Sequence, residues 1–381
     1  MNKERLEELT ADAVELLKRL IATPSVSRDE KAAADVMEEA MRGYGFTPER
    51  IGNNLMIKSA DWDDSKPTIL LNAHIDTVKP VSTWTRDPFT PAIEGDRLYG
   101  LGSNDCGGGL VSLLQVFRIL HSLPPGRFRG GFIYLASCEE EVSGVNGIRT
   151  VLPLLPRIDL AIVGEPTGMQ PAIAERGLMV IDGVAHGKSG HAARNEGVNA
   201  IYEALDDLEF IRRYRFQRVS PLLGETRMQC TIVNSGTQHN VVPDECRFTI
   251  DVRTNELYTN EEVFQFLQSK LKSDLTARSF HLQSSATPLR LPQEGFSDLQ
   301  SYSQAHQASQ SIFNLQSSFK ELGMTPFGSP TLSDQALMRF PSLKLGPGES
   351  SRSHSADEYI RISEISHAID TYLKLLDCIC R

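Results

Sequence analysis

Short apolar runs alternate with helix-like segments through residues 4–163, and this alternation constrains the fold more than any other feature of the sequence. The strand-like runs cover 68–73, 97–101, 131–137 and 159–163. Helical spacing of apolar residues covers 4–21 and 29–43, and a third helix is predicted over 107–122. Strands that alternate with helices form a sheet that is at least partly parallel, so the pattern predicts an α/β fold.

The pattern changes near residue 177, where a second domain is predicted. Its strands cover 179–185, 228–234 and 246–253, and its helices cover 197–214 and 260–273. This β-α-β-β-α order is typical of a small α+β domain. We therefore expect a main domain of residues 1–176 and 288–381, interrupted by an inserted domain of residues 177–287.

The chain returns to the main domain through a segment rich in Ser and Gln, residues 284–325. This segment is predicted to be a linker that contains a helix over 297–322. A last helix is predicted from residue 362 onward. A length of 381 residues agrees with this division, because one compact core of that size is uncommon.

Composition and charge exclude several classes of function. The net charge of −10 argues against nucleic acid or an anionic membrane as partner. No apolar run is long enough to cross a membrane, and the N-terminus enters an amphipathic helix rather than an apolar signal segment. The six cysteines form no C-x-x-C pair and no regular framework. We expect a cytoplasmic protein in a reducing compartment.

A set of acid and imidazole side chains lies in small, distinctive sequence contexts. The set is His74, Asp105, Glu139–Glu140, Glu165 and His354. His74, the Glu139–Glu140 pair and Glu165 each follow an apolar strand, and sites in open α/β sheets form beyond the carboxyl ends of strands. Two histidines and three carboxylates are the ligands that two zinc ions need when one carboxylate bridges them. The pattern therefore predicts a metal-dependent hydrolase.

Each of these signals also has a simpler interpretation. Asp76 forms H-x-D with His74 and could orient the imidazole, or it could be a solvated strand end. Asp105 lies among small residues that allow close backbone approach, but an ordinary turn before a helix would look the same. Glu139 and Glu140 could serve as ligand and general base, or they could form a solvated acidic loop.

The joint order of the motifs is far more specific than any one of them. Five motifs follow one another along the chain: H-x-D, G-x-x-D-x-G-G, E-E, G-E-P-T and H-S-A-D-E-Y. In this order they resemble the peptidase M20 family, which includes acetylornithine deacetylase, succinyl-diaminopimelate desuccinylase and carboxypeptidase G2. The resemblance covers essentially the whole chain. It extends to residues 21–27, 84–91, 189–192 and 240–243.

The resemblance implies a mixed-sheet zinc-exopeptidase catalytic domain with two zinc ions, for which cobalt could substitute. Carried over residue by residue, it assigns His74 and Glu165 to one ion, Glu140 and His354 to the other, Asp105 to the bridge, Glu139 to the general base and Asp76 to the orientation of His74. We expect these roles on the strength of the resemblance.

The resemblance also implies a role for the inserted domain, which serves as a lid and mediates homodimer formation in the family. His191 is expected to reach the partner subunit's site and polarise the scissile carbonyl. Asn240 and Arg253 match positions that usually contact the anionic end of the substrate, and the Gly346 backbone is expected nearby. Arg352 could bind an acidic acyl group, or it could be a solvated loop arginine.

One departure from the family pattern concerns the residues after Asp105. Many members have Asp-Met-Lys-Gly-Gly where this chain has Asp105-Cys106-Gly-Gly-Gly109. The missing lysine is not a metal ligand, so we expect activity to survive. Cys106 could be a further ligand, although a small buried thiol is the simpler interpretation.

The expected reaction is removal of an N-acyl group, acetyl or succinyl, from an amino acid. N-acetylornithine and N-acylcitrulline are the expected substrates, which would place the enzyme in arginine biosynthesis. The alternatives are a succinyl-diaminopimelate desuccinylase and a di- or tripeptidase with the same metals. A binding module that has lost catalysis is a third, but every predicted ligand and the predicted base are present in the sequence.

Overall fold

The computed structural model describes residues 1–60, 62–63, 65–124, 126–128, 130–194, 196–278 and 315–380. Two compact units divide these residues. The first holds the described residues of Met1–Ile173, Pro288–Phe327 and Ser333–Arg381. The second holds those of Ala174–Thr287 and Gly328–Leu332. The predicted boundary at 287/288 lies outside the described residues, as does the part of the predicted 297–322 helix before residue 315.

The helices and strands follow the order that the sequence predicts. The helices are α1 (Lys3–Ile21), α2 (Lys31–Gly43), α3 (Gly108–Ser122), α4 (Ile148–Val151), α5 (Ala200–Arg213), α6 (Asn260–Lys270), α7 (Leu315–Glu321) and α8 (Ile362–Cys380). The strands are β1 (Glu49–Ile51), β2 (Asn54–Lys58), β3 (Thr68–His74), β4 (Ala92–Glu94), β5 (Arg97–Tyr99), β6 (Gly131–Ser137), β7 (Leu160–Val163), β8 (Ala172–Glu175), β9 (Met179–His186), β10 (Gly190–His191), β11 (Arg227–Ser235), β12 (Val241–Val242), β13 (Glu245–Arg253), β14 (Asp274–Ala277), β15 (Phe327–Ser329), β16 (Ser342–Lys344) and β17 (Tyr359–Arg361).

The main sheet has the order β1-β2-β6-β3-β7-β16-β8-β15 among the described residues. Its centre is parallel: β3 pairs with β6 and β7, and β7 pairs with β16. Antiparallel pairing of β2 with β6 and of β16 with β8 makes the sheet mixed. The expected α/β class with a mixed sheet is confirmed.

The central strands are mostly apolar because both faces of the sheet are covered. Every residue of β3, β6 and β7 is buried. The α3 helix packs on β3 and β6 and also contacts α1 and α8. The α1 helix begins at Asn2, whose side chain accepts a hydrogen bond from the Arg5 amide at 2.9 Å, and it buries a leucine-rich face. This core holds the carboxyl ends of the parallel strands at one edge.

The second unit contains an antiparallel sheet of order β11-β13-β9-β14 and the helices α5 and α6. Residues along β9 alternate between buried and half-buried, as expected for a sheet with one face on a core. That core includes Ile181, Phe248, Ile250 and Leu267. The α6 helix begins with a capping box between Thr259 and Glu262. The predicted α+β pattern is therefore present in this region.

None of the helices in the described ranges is both long and apolar enough to span a membrane.

Candidate metal centre

His74 is the last residue of β3, where the chain leaves the sheet beside the end of β6. Its ring is buried, and Nδ1 donates to the backbone carbonyl of Asp76 at 2.9 Å. The Asp76 carboxylate lies farther away, with Oδ1 at 3.6 Å from Nδ1. Because Nδ1 carries the proton in this arrangement, Nε2 presents its lone pair to the space beyond the strand.

Three carboxylates surround His74 Nε2. Asp105 Oδ1 lies at 3.4 Å, Glu165 Oε1 at 3.5 Å and Glu140 Oε2 at 4.0 Å. His74 Nε2 and Glu165 Oε1 are both buried and have no hydrogen-bond partner among the described residues. A buried polar atom without a partner costs free energy, so two such atoms 3.5 Å apart are placed to share a bound cation.

The second oxygen of Asp105 faces another cluster. Asp105 Oδ2 lies 3.6 Å from His354 Nε2, and His354 Nε2 lies 2.9 Å from Glu141 Oε2. Asp105 thus has one oxygen toward His74 and one toward His354, which is the geometry of a bridging carboxylate. His74, Asp105 and Glu141 offer ligand atoms that all lie within 4.8 Å of one another.

These separations fit metal coordination. Two ligands at about 2.0–2.1 Å from a tetrahedral ion are roughly 3.3–3.4 Å apart. The His74 to Asp105 and His74 to Glu165 distances of 3.4 and 3.5 Å match this value, whereas Glu140 at 4.0 Å is too far to share that ion in this arrangement. Histidine nitrogen and carboxylate oxygen are also among the donors that bind zinc, especially in catalytic sites. The residues present therefore fit a pair of zinc-type ions.

The three consecutive glutamates do not take the positions that the sequence predicts. Glu139 has a left-handed backbone with φ of 54°. Its carboxylate accepts hydrogen bonds from the Asn146 side chain at 2.8 Å and the Asn146 amide at 3.1 Å. Glu141 lies beside His354 and Asp105, where Glu140 was expected. Glu141 rather than Glu140 therefore contacts His354, and the catalytic and ligand roles expected for Glu139 and Glu140 stay predictions.

Asp76 holds the loop of the three glutamates in this arrangement. Its Oδ1 accepts from the Glu140 amide at 3.0 Å and its Oδ2 from the Glu141 amide at 3.1 Å. The Ser27 hydroxyl also donates to Oδ2, at 2.7 Å. Asp76 therefore anchors the glutamate loop through its carboxylate and the His74 ring through its carbonyl, whereas the sequence predicted only that it orients the ring.

The protonation equilibria show the effect of crowding these acids together. Burial, and then the Glu165 charge, raise the pKa of Glu140 well above its usual range. Burial, and then Asp105, raise the pKa of Glu165 to about 8. The Glu141 hydrogen bond raises the pKa of His354 to about 9. Burial opposes protonation of His74, but the neighbouring Cys106 and Asp105 outweigh it and raise the His74 pKa. Bound cations would relieve this repulsion between carboxylates.

The glycines after Asp105 allow close packing at the start of α3. Gly107 and Gly108 have ordinary right-handed helical torsions. A Cβ on Gly109 would lie 1.7 Å from the carbonyl oxygen of Gly164, and one on Gly108 would lie 2.1 Å from Ile360 Cδ1. Because Gly164 precedes Glu165, glycine at position 109 lets the start of α3 approach the strand end that carries Glu165.

Several other predicted residues have partners that bear on their roles. The Gly346 amide donates to the Thr167 hydroxyl at 3.1 Å, and its expected contact with substrate stays a prediction. Arg352 forms a bidentate pair with Glu364, at 2.8 and 2.9 Å. Cys106 Sγ lies within 4.8 Å of ligand atoms of His74 and Glu165, and burial raises the pKa of its thiol.

His191, Asn240 and Arg253 belong to the second unit. β10 and β12 pair with His191 opposite Val241, and the Ala192 amide donates to the Asn240 carbonyl at 3.1 Å. The motifs at 189–192 and 240–243 are therefore neighbours. The Arg253 guanidinium pairs with Asp251, at 2.9 and 3.0 Å. Their predicted roles toward substrate stay predictions.

Two buried acids near the site carried no distinguishing signal in the sequence. Glu358 accepts hydrogen bonds from the amides of Gly102, Asn104 and Asp105. Asp334 accepts a 2.6 Å hydrogen bond from Ser137 at the end of β6. Glu358 lies inside a motif noted above, but only its contacts show that it faces the Asp105 turn.

A family model, Peptidase family M20/M25/M40, matches residues 70–377. The chain belongs to this family. The match spans both units and includes each acid and imidazole of the candidate centre. The M20 assignment expected from the motifs is therefore confirmed, and the chain is a hydrolase of a metal-dependent family.

Individual relatives of this M20 protein include a succinyl-diaminopimelate desuccinylase from Wolbachia pipientis subsp. Culex pipiens (strain wPip). The two are 27% identical over 291 residues, which is 72% of each chain. Among solved structures, aminopeptidase PepT from Bacillus cereus ATCC 10987 is similar with a TM-score of 0.72 at 18% identity, covering 100% of this chain and 99% of that one. The YXEP protein of Bacillus subtilis, described as a dinuclear metal-binding peptidase of the M20 family, gives 0.68 at 14% identity, with coverage of 98% and 99%.

Proposed function

We propose that this M20 hydrolase cleaves the amide bond of N-acyl amino acids with the help of two zinc ions, for which cobalt can substitute. The observation that carries the proposal is the bridging geometry of Asp105, with His74 and Glu165 on one side and His354 and Glu141 on the other. His74 and Glu165 would hold one ion, and His354 and Glu141 the other, with Asp105 shared.

Bound zinc supplies two effects in such a site: it polarises the amide carbonyl and lowers the pKa of water. Glu140 is the base in this proposal. It lies beside the ligand cluster, yet its carboxylate is farther from His74 Nε2 than the carboxylates of Asp105 and Glu165. From this place it would take a proton from the attacking water and later donate it to the leaving amine.

His191 is proposed to donate a hydrogen bond to the scissile carbonyl from the second subunit of a dimer. Its Nδ1 accepts from the Ala193 amide at 3.2 Å, so in the neutral ring Nε2 carries the proton and is a donor. Asn240 directly precedes β12, its carbonyl accepts from the Ala192 amide, and it is proposed, with Arg253, to bind the anionic end of the substrate. A preorganised donor of this kind contributes about 3–4 kcal/mol to transition-state stabilisation.

The homodimer proposed here would form through the second unit. β11 is an edge strand, and Ile232 and Val233 on it are 50% and 51% exposed. Leu205 and Tyr202 on α5 are 52% and 68% exposed. Large apolar side chains on one edge strand and helix are typical of a protein interface. Light scattering after size exclusion should give twice the chain mass, and Ile232→Lys should shift it toward the monomer.

The acylated amino acid is proposed to be N-acetylornithine or an N-acylcitrulline, in arginine biosynthesis. The desuccinylase relative supports an N-acyl amino acid as the substrate class. The peptidase structures are too distant in sequence to support more than the shared fold. All six cysteines are free of disulfides, which supports the cytoplasm as the compartment.

The experiment that tests this function measures amine release from a matched panel. The panel contains N-acetylornithine, N-acetylcitrulline, N-succinylornithine, N-succinylcitrulline, N-succinyl-diaminopimelate and an unblocked dipeptide. Each is assayed with zinc, after chelation, and after zinc or cobalt is restored. Cleavage of an acylated amino acid that stops on chelation and returns with metal supports the proposal. Cleavage of the dipeptide alone would show that the enzyme is a peptidase rather than a deacylase. Activity that survives thorough removal of the metal would overturn the metal-dependent mechanism.

A further inference from the structure

The Asp105 turn is held by a buried carboxylate that the reaction itself does not use. Glu358 is 2% exposed and lies four residues after His354, just before β17. Its Oε1 accepts from the Asn104 amide at 2.8 Å and from the Asp105 amide at 2.9 Å. Its Oε2 accepts from the Gly102 amide at 3.0 Å. One carboxylate thus satisfies three backbone donors of the turn that carries the candidate bridging ligand.

A second connection joins the same two segments. The Asn104 side chain donates to the Glu349 carbonyl at 3.0 Å and accepts from the Glu349 amide at 3.0 Å. The Gly102–Asp105 turn is therefore bound both to Glu358 and to the start of the loop that leads to His354. The segment of residues 349–358 is therefore joined to the Asp105 turn at both of its ends, through Glu349 and through Glu358. The candidate ligand His354 lies between these two connections.

We propose that Glu358, together with Asn104, is a positioning residue that sets the separation between Asp105 and His354 and so determines the affinity for the paired metal ions. The inference rests on the proposed two-metal function. Glu358 touches neither the candidate ligand atoms nor a substrate position in this assignment; it acts through the backbone of Asp105. A carboxylate is required because a glutamine at this position can offer only one acceptor oxygen, and at least one of the three amides would face an NH2 group.

The test compares zinc affinity in three proteins: wild type, Glu358→Gln and Asp207→Asn. Asp207 is a matched control because it is another buried carboxylate that accepts from backbone amides, those of Lys272 and Ser273, both at 2.9 Å, but it lies in the second unit. Metal-free samples are titrated with zinc against a competing chelator, and their unfolding temperatures are measured without metal. Substitution of residues that support metal ligands typically weakens affinity about 10- to 100-fold.

The expected result is that Glu358→Gln binds zinc about 10- to 100-fold more weakly than wild type, while Asp207→Asn loses thermal stability but keeps wild-type zinc affinity. Wild-type affinity in Glu358→Gln would overturn the inference, because the residue would then be merely structural. If Glu358→Gln does not fold, Asn104→Ala is titrated with zinc instead. We expect it to bind zinc more weakly than wild type. Unchanged zinc affinity in Asn104→Ala would overturn the inference. A wild-type protein that binds no zinc pair would instead refute the proposed function, so the two failures are distinguishable.

Discussion

Replacing Glu140 with glutamine should separate catalysis from metal binding. In the proposed mechanism Glu140 moves protons and is not a ligand: its carboxylate lies 4.0 Å from His74 Nε2, and His354 Nε2 faces Glu141 and Asp105 instead. Loss of a positioned general base lowers the rate about 10²- to 10⁴-fold. This corresponds to about 2.7–5.4 kcal/mol in the activation free energy.

The assay measures kcat on whichever panel substrate the wild type cleaves, together with zinc content by metal analysis. Glu140→Gln should lose turnover by the factor above and retain the wild-type zinc content. Glu139→Gln is the matched control because it changes the adjacent side chain of the same type, whose carboxylate is engaged by Asn146. It should keep turnover and lose stability on the order of 1–3 kcal/mol, since a charged hydrogen-bond acceptor is weakened.

The reverse pattern would refute this reasoning. If Glu139→Gln is inactive with zinc retained while Glu140→Gln turns over normally, the base is Glu139, and the loop does not have the described conformation in the active enzyme. If Glu140→Gln loses zinc as well as turnover, Glu140 is a ligand, and the assignment of Glu141 fails with it.

Two further predictions concern the metal centre. Glu141→Gln removes a ligand on the His354 side, so bound zinc should fall from about two ions per chain toward about one by metal analysis, and an unchanged content would contradict the assignment. The metal-free protein should lose stability as the pH rises from about 5 to about 9, because the folded-state pKa of Glu165 is raised from 4.5 to about 8 and that of His354 from 6.5 to about 9. A raised pKa stabilises the fold fully below the unfolded value and loses that contribution as the pH passes the folded value. Unfolding temperatures of the metal-free wild type should therefore fall as the pH rises. In His354→Ala the fall at the high-pH end of this range should be missing. An unfolding temperature of the metal-free wild type that does not change with pH would contradict the prediction.

Much of the fold was predictable because the signals were local. The strand runs at 131–137 and 159–163 are apolar and short, and the helix over 4–21 repeats leucine at helical spacing, so burial alone predicts their type. The division near residue 177 was visible because the periodicity itself changes. The shortening of the 97–101 strand to Arg97–Tyr99 was not predictable, since strand ends depend on which neighbour pairs with them, here β4 and β17.

Within the site, residues that stand alone in the sequence were predicted at their observed places. Four predicted residues have no adjacent residue of the same type with which they could be confused: His74, Asp105, Glu165 and His354. The structure brings all four together. Glu358 could not be assigned from sequence, because its role consists of three hydrogen bonds to a turn about 250 positions away in the chain.

The sequence by itself determined the fold class, the family and the chemical groups available at the ends of the central strands. Only the tertiary structure decided which of three consecutive glutamates faces His354. The three carry identical side chains, so composition and spacing cannot rank them. Their directions depend on the left-handed turn at Glu139 and on Asp76, which holds the amides of the next two residues from 64 and 65 positions away. A side chain's direction follows from backbone torsions and from partners distant in sequence, and these exist only once the chain has folded.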